Sequence, residues 1–145
     1  GKADVVARFF NEAKAVNDIS HPNIVDIIDF GETTFDGVTF KYIMMEFLDG
    51  ESLSARMRRE GVTIRESISI LAQCCSALSA SHGKGVVHRD LKPENIFLVN
   101  RPNDRNYIKL LDFGIAKLTT EDGWRMARFS IRSRAPPWWA MAWML

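Results

Sequence analysis

Cysteine is scarce: the 145 residues hold two, Cys74 and Cys75, side by side. Adjacent cysteines rarely bridge each other, and no pair has the spacing of a zinc site. Neither a disulfide framework nor a structural metal is expected, and the chain reads as a product of a reducing compartment, the cytoplasm. An excess of charge of one sign is lacking too. Nineteen basic residues face eighteen acidic ones, a net charge of +1, so no global field favours nucleic acid or a membrane surface. Long apolar runs are also missing. The longest, Ala135–Leu145, falls well short of the ~20 residues that cross a bilayer. The first residues lack the basic-then-apolar order of a secretory leader. With 46% apolar and 26% charged residues, the chain has the balance of an ordinary globular protein, with length for one cored domain. A wholly disordered tail protein, a collagen and a disulfide-stapled miniprotein are excluded.

The composition is uneven along the chain. All four tryptophans (Trp124, Trp138, Trp139, Trp143) fall near the end, with Met126, Met141 and Met144. Acidic residues stop at Asp122, while Arg125, Arg128, Arg132 and Arg134 follow it. The sequence therefore divides into residues 1–122 and a tail, 123–145, of a different kind.

Val5, Phe9, Glu12, Ala13 and Val16 recur at three- and four-residue steps, which predicts a helix over Asp4–Asp18. Ser20-His21-Pro22-Asn23 ends it. Strands are expected at Ile24–Phe30 and Phe40–Phe47, with Gly31–Gly37 between them. A short helix is expected at Ser52–Arg59. Thr63-Ile64-Arg65-Glu66 has capping-box spacing and opens a longer helix, which Gly83 and Gly85 stop. Its apolar stripe of Ile64, Ile68, Leu71, Cys75 and Leu78 predicts the buried side. Short strands follow at Val86-Val87, Ile96–Val99 and Tyr107–Leu111. The order indicates an α+β fold.

The chemistry concentrates in His88-Arg89-Asp90-Leu91-Lys92-Pro93-Glu94-Asn95 and in Asp112-Phe113-Gly114. Ile96–Val99 and Tyr107–Leu111 can form a hairpin around Asn100–Asn106. Its open end then holds Asn95 on one side and Asp112 on the other. Two oxygen ligands at neighbouring chain ends suit Mg²⁺, which takes few protein oxygens and prefers phosphate partners besides. Asp90 can face the same space, and Lys92 can reach back toward a phosphate as a point charge. An acid, a lysine and two metal ligands make a set for phosphoryl transfer.

These strings resemble the protein kinase family, nearest in pattern to the eukaryotic-like Ser/Thr kinases of bacteria. The resemblance runs from Asp4 to about Thr119. It implies a partial protein-kinase-like fold: helix C, part of the N-lobe sheet, the hinge, and the upper C-lobe as far as Asp112-Phe113-Gly114. By the same resemblance Asp90 is the catalytic-loop base, Lys92 the γ-phosphate lysine, and Asn95 and Asp112 the Mg²⁺ ligands. Glu12 matches the helix-C glutamate and Met45 the gatekeeper. Glu46–Leu48 match the hinge that faces adenine, and Phe97 the floor beneath it. Val16, His88 and Phe113 match the regulatory spine, and His21-Pro22-Asn23-Ile24-Val25 the loop after helix C. Arg89 implies control by phosphorylation of the activation loop. Lys92 points to Ser and Thr hydroxyls of protein substrates, with ATP and Mg²⁺ as cofactors, and full-length relatives can be membrane-anchored.

The family's glycine-rich loop and strand lysine do not stand before Asp4, and no Ala-Pro-Glu string follows Thr119. The expectation is a catalytic domain incomplete at both ends and inactive by itself. The tail 123–145 is expected to be non-homologous, as a frame slip near Asp122–Met126 or a disordered segment would be. The rival reading, from a different class, is a non-catalytic pseudokinase or binding module. The full set Asp90, Asn95 and Asp112 argues against it, since scaffolding does not need these residues. A small-molecule kinase is the third reading, and Arg89 with Lys92-Pro93-Glu94 argues against that.

Overall fold

The computed structural model describes residues 14–113 without interruption, and in addition Ala7, Asn11, Ala127–Arg128 and Met141–Met144. These fall into two compact units. One is drawn from Gly1–Asp18, Asp26–Phe47 and Ile115–Leu145, and the other from Ile19–Val25 and Leu48–Gly114.

In the first unit Ala7, Asn11 and residues 14–17 are helical, in agreement with the three- and four-residue repeat. A hairpin follows, β1 (Ile27–Phe35) against β2 (Val38–Met45), antiparallel with Phe35 opposite Val38. The first strand starts and ends later than expected and is longer. The second keeps its expected length but starts two residues earlier, and the turn is tighter. Asp36 and Gly37 alone make the turn, with φ of 49° and 74°. Two successive left-handed residues suit the right-handed twist of the strands, and Asp-Gly is the dipeptide that takes them readily. The sheet grows on the far side of β2 through two late segments, Ala127–Arg128 (β6) and Met141–Met144 (β7), in the order β1-β2-β7-β6. Met45 pairs with Met141 and Tyr42 with Met144.

The second unit carries a three-stranded antiparallel sheet of Gly50–Ser52 (β3), Ile96–Val99 (β4) and Ile108–Leu110 (β5), with β4 in the centre. Ser52 ends β3 and caps the helix α1 (Leu53–Arg59), its hydroxyl accepting the Ala55 N–H at 3.1 Å. The helix α2 (Ile64–Gly83) opens on a complete capping box between Thr63 and Glu66. It closes as a Schellman motif. Val86 N–H reaches Ser81 O, Gly85 N–H reaches His82 O, and Gly85 sits at φ 74°. Both ends follow the sequence reading. Val86-Val87 is not a strand, because the Schellman bond and the turn into His88 use that segment.

The buried side of α2 differs from the expected stripe. Ile64, Ile68 and Leu71 are exposed at 82%, 64% and 58%, and Cys75 is exposed, whereas Ile70, Cys74, Ala77 and Ser81 are buried. The buried set includes small residues, which let a helix approach a sheet closely. The core of this unit is Ile96, Leu98, Ile108 and Leu110 on the sheet, with Ile24, Val25 and Leu111. Burial raises the Cys74 thiol to about 11, so it stays protonated and unreactive at neutral pH.

Candidate active site

The site is built where β4 begins and β5 ends. The turn at Pro93–Asn95 is a single 3₁₀ turn, with proline supplying the fixed φ that opens it. Asn95 N–H donates to Lys92 O at 2.9 Å, and Asn95 O accepts the Leu111 N–H at 2.9 Å. That second bond extends the β4–β5 ladder by one step past Ile96 opposite Leu110. Asp112 therefore follows directly on the residue tied to Asn95. The hairpin and the neighbouring ends expected for Asn95 and Asp112 are both found.

Asp90 is held from two directions. Lys92 Nζ lies 2.9 Å from Asp90 Oδ2, and Asn95 Nδ2 donates to the same oxygen at 3.1 Å and to Asp90 O at 2.9 Å. Asn95 is buried to 2% exposure, so its amide is fixed, and Nδ2 is the arm turned to Asp90. The ammonium of Lys92 beside Asp90 holds its carboxyl below the usual range. Reciprocally, Asp90 raises Lys92. At neutral pH the pair is charged on both sides. Both side-chain bonds converge on Oδ2, and Oδ1 is the oxygen that can accept a proton.

His88 joins the two chain segments. It is 2% exposed, and its Nε2 lies 2.7 Å from Leu111 O. A carbonyl oxygen only accepts, so Nε2 carries the proton. Nδ1 in turn accepts the Asp90 N–H at 3.3 Å. The imidazole ring packs on Phe113 with centroids 4.5 Å apart. On either side of this contact Arg89 and Asp112 take left-handed backbone, at φ 62° and 56°. Non-glycine residues there cost on the order of 1 kcal/mol each and cluster at functional sites.

Burial lowers the His88 pKa, outweighing the hydrogen bond to Leu111 and the nearby Asp112 and Asp90 charges. The folded form thus binds a proton less readily than the unfolded chain. Stability from this group is present above the unfolded value of about 6.5 and is lost as pH falls below it. Chemical denaturation from pH 7.5 down to pH 5 should show a declining midpoint. In His88→Phe the part of that slope due to His88 should vanish.

The remaining expected site residues are distributed between the units. Met45 is buried and Glu46 half-buried in the first unit, where Glu46 Oε1 accepts the Asp26 N–H and Glu46 N–H donates to Asp26 O. Leu48 is buried and Phe97 half-buried in the second. Of the three spine residues, His88 and Phe113 are brought together, and Val16 is buried in the first unit. Glu12 lies outside the described residues. Among the described residues no three His, Cys, Asp or Glu side chains group as a metal site.

The sequence reading places Asn23 in the loop after helix C but gives its side chain no partner, and it does not single out Gln73. Gln73 on α2 and the side chain of Asn23 both bond the outer edge of β5. Asn23 Nδ2 donates to Ile108 O at 2.8 Å and to Gln73 Oε1 at 3.0 Å. Gln73 Oε1 also accepts the Ile108 N–H at 3.1 Å, and Gln73 Nε2 donates to Asn106 O at 2.7 Å. No local signal marks a helix glutamine for this role.

Comparison with known proteins gives a consistent result. The sequence profile of the protein kinase domain matches residues 2–139. Serine/threonine-protein kinase Pkn1 of Myxococcus xanthus is 50% identical over 115 residues, which is 79% of this chain and 16% of Pkn1. Pkn3 of the same organism is 46% identical over 126 residues, 85% of this chain and 22% of that protein. Serine/threonine-protein kinase PknB of Mycobacterium tuberculosis is 38% identical over 117 residues, 80% of this chain and 18% of PknB. The chain thus spans about a fifth of the length of these curated relatives. Among solved structures, the kinase domain of M. tuberculosis PknI superposes with a TM-score of 0.63 at 31% identity. That match covers 79% of this chain and 43% of the PknI chain. Rad53 in complex with AMP-PNP gives 0.60 at 31% identity, covering 74% of this chain and 28% of the Rad53 chain.

Proposed function

This chain belongs to the protein kinase domain family, and from that premise we propose that it carries the phosphoryl-transfer centre of a Ser/Thr protein kinase that uses ATP and Mg²⁺. The observation that carries the reading is the convergence of Lys92 and Asn95 on one oxygen of Asp90, beside a backbone bond that sets Asp112 next to Asn95. Phosphoryl transfer asks little covalent chemistry of a protein. It asks that a hydroxyl be aimed, a phosphate steadied and charge neutralised at fixed places.

The residues divide this work. Asp90 Oδ1 orients the substrate hydroxyl and takes its proton as the oxygen attacks the γ-phosphorus of ATP, whose bond to the β–γ bridging oxygen breaks to release ADP. Oδ2 stays neutralised by Lys92 and Asn95, so the carboxylate cannot rotate away. Lys92 is about half exposed and reaches the transferred phosphate from the same anchor. The donor set fits Mg²⁺, with one carboxylate from Asp112 and one amide oxygen from Asn95, whose Nδ2 arm is committed to Asp90. When bound, Mg²⁺ supplies charge neutralisation on the phosphate oxygens. Leu48 and Phe97, both of the second unit, would meet the adenine. Protein Ser and Thr hydroxyls are the substrate class, in a cytoplasmic setting. Among the described residues no helix is long and apolar enough to cross a membrane.

Titration of ¹⁵N-labelled chain with Mn²⁺–ADP tests the reading. Paramagnetic broadening should be strongest at Asn95 and Asp112, and Asp112→Asn should abolish it. Uniform broadening, or none up to millimolar nucleotide, would sink the assignment.

A further inference from the structure

The outer edge of β5 is closed without a strand. Away from β4, this edge presents Asn106 O, Ile108 N–H, Ile108 O, Leu110 N–H and Leu110 O. The Gln73 amide takes the first two, its Nε2 donating to Asn106 O and its Oε1 accepting from Ile108 N–H, as a peptide group of a neighbouring strand would. Asn23 Nδ2 takes Ile108 O. The backbone finishes the row: Leu110 N–H donates to Asn23 O at 2.8 Å, and Val25 N–H to Leu110 O at 3.1 Å. Asn23 Nδ2 also bonds Gln73 Oε1, so the two amides are locked to each other. Further bonds hold the Asn23 segment. Tyr107 OH donates to Pro22 O at 2.7 Å, and Lys109 Nζ to Ile24 O at 3.2 Å. His21 Nδ1 accepts the Asn23 N–H, which leaves the proton on Nε2 to donate to Ser76 Oγ at 3.1 Å.

β5 is three residues long and ends two residues before Asp112. A strand that short, held on one edge only, has few bonds to resist sliding or fraying. We propose that Gln73 and Asn23 are positioning residues of the reaction. Their side-chain amides fix the register of β5 and thereby the left-handed backbone at which Asp112 is delivered to the site. Ile108 and Leu110 are fully buried, so water cannot stand in for the amides along that edge. The inference rests on the reading of Asp112 as a metal ligand.

Gln73→Leu removes both amide contacts at nearly constant size. In the 145-residue chain the Ile108 amide should exchange with solvent roughly tenfold faster or more. The three-bond H–N–Hα coupling and the shifts of Asp112 should move from left-handed toward averaged values, while the cooperative melt persists. Gln73→Glu keeps the acceptor for Ile108 and Asn23 but loses the donor to Asn106. It should fall between, and it decides the matter if Gln73→Leu does not fold. Unchanged Ile108 exchange, or fast exchange with Asp112 unmoved, would overturn the proposal and leave the amides as plain packing. The Asp112 coupling is read without nucleotide. Failure of the unsubstituted chain to take up Mn²⁺–ADP would therefore sink the metal-site reading alone, and the coupling would still decide this one.

Discussion

Asp90→Asn in the full-length gene product should lower Mg²⁺–ATP-dependent phosphorylation of a protein substrate by about a thousandfold, with little change in melting temperature. The substitution is nearly isosteric. Its amide oxygen can still meet Lys92 and Asn95, so the loop keeps its shape. What disappears is a group that accepts a proton, and general-base assistance contributes about 10²- to 10⁴-fold. Stability should hardly respond, because the Asp90–Lys92 pair is about a third to half exposed and such pairs contribute little in water. Initial rates of phosphate incorporation and a thermal melt on the same preparations make the check. A loss under about tenfold would show that aiming the hydroxyl, which asparagine preserves, carries the catalysis.

The largest effect on stability belongs to Gly50. It stands at φ 152°, where side-chain-bearing residues are rarely found, and a Cβ added there would run into the carbonyl oxygen of Leu98. Neither partner can give way cheaply. Leu98 is in the central strand and 2% exposed, and Gly50 is paired with Val99. Gly50→Ala must therefore push β3 off β4. Ser52, which caps α1, and Ser54, whose hydroxyl donates to Glu94 Oε1 at 3.1 Å, would move with it. A loss above about 3 kcal/mol is expected, a large part of the roughly 5–15 kcal/mol that holds a typical domain. Urea denaturation followed by circular dichroism measures it. Gly61→Asn is the control: φ is 77°, nothing lies within 4 Å, and asparagine tolerates that region. It should cost under about 1 kcal/mol. Comparable losses in the two variants would mean that left-handed backbone, not the Leu98 carbonyl, sets the requirement at Gly50.

What can be read from the chain is whatever is encoded locally. The capping box at Thr63–Glu66, the glycine stop at Gly85 and the β4–β5 hairpin depend on residues a few positions apart, and each is found. The expected catalytic residues lie in two short strings, so their order alone picks them out. The face of α2 is harder, because its sequence offers two apolar stripes about 100° apart. Periodicity favours the greasier one, Ile64-Ile68-Leu71. The sheet selects Cys74, Ala77 and Ser81, whose small side chains permit close approach. The closure of β5 is illegible for another reason. Asn23 and Ile108 are 85 residues apart in sequence, and nothing in an amide's neighbours says which distant carbonyl it will meet. The β7 strand on β2 is likewise a distant pairing, about a hundred residues apart, which composition does not suggest.

The 85-residue span between Asn23 and Ile108 also has a meaning in time. A ribosome adding roughly 5–20 residues per second needs about 4–17 s to make that stretch. Throughout that interval the amide of Asn23, and for much of it that of Gln73, is already translated, while the strand they complete is not. Helix α2 can form and the loop at Asn23 can collapse onto it within microseconds, yet its polar groups have only water or each other as partners. The nascent chain thus holds a half-built ledge for seconds. Mutations that weaken the Asn23–Gln73 bond would then show first as a lower yield of folded product during synthesis, before any defect in the finished protein.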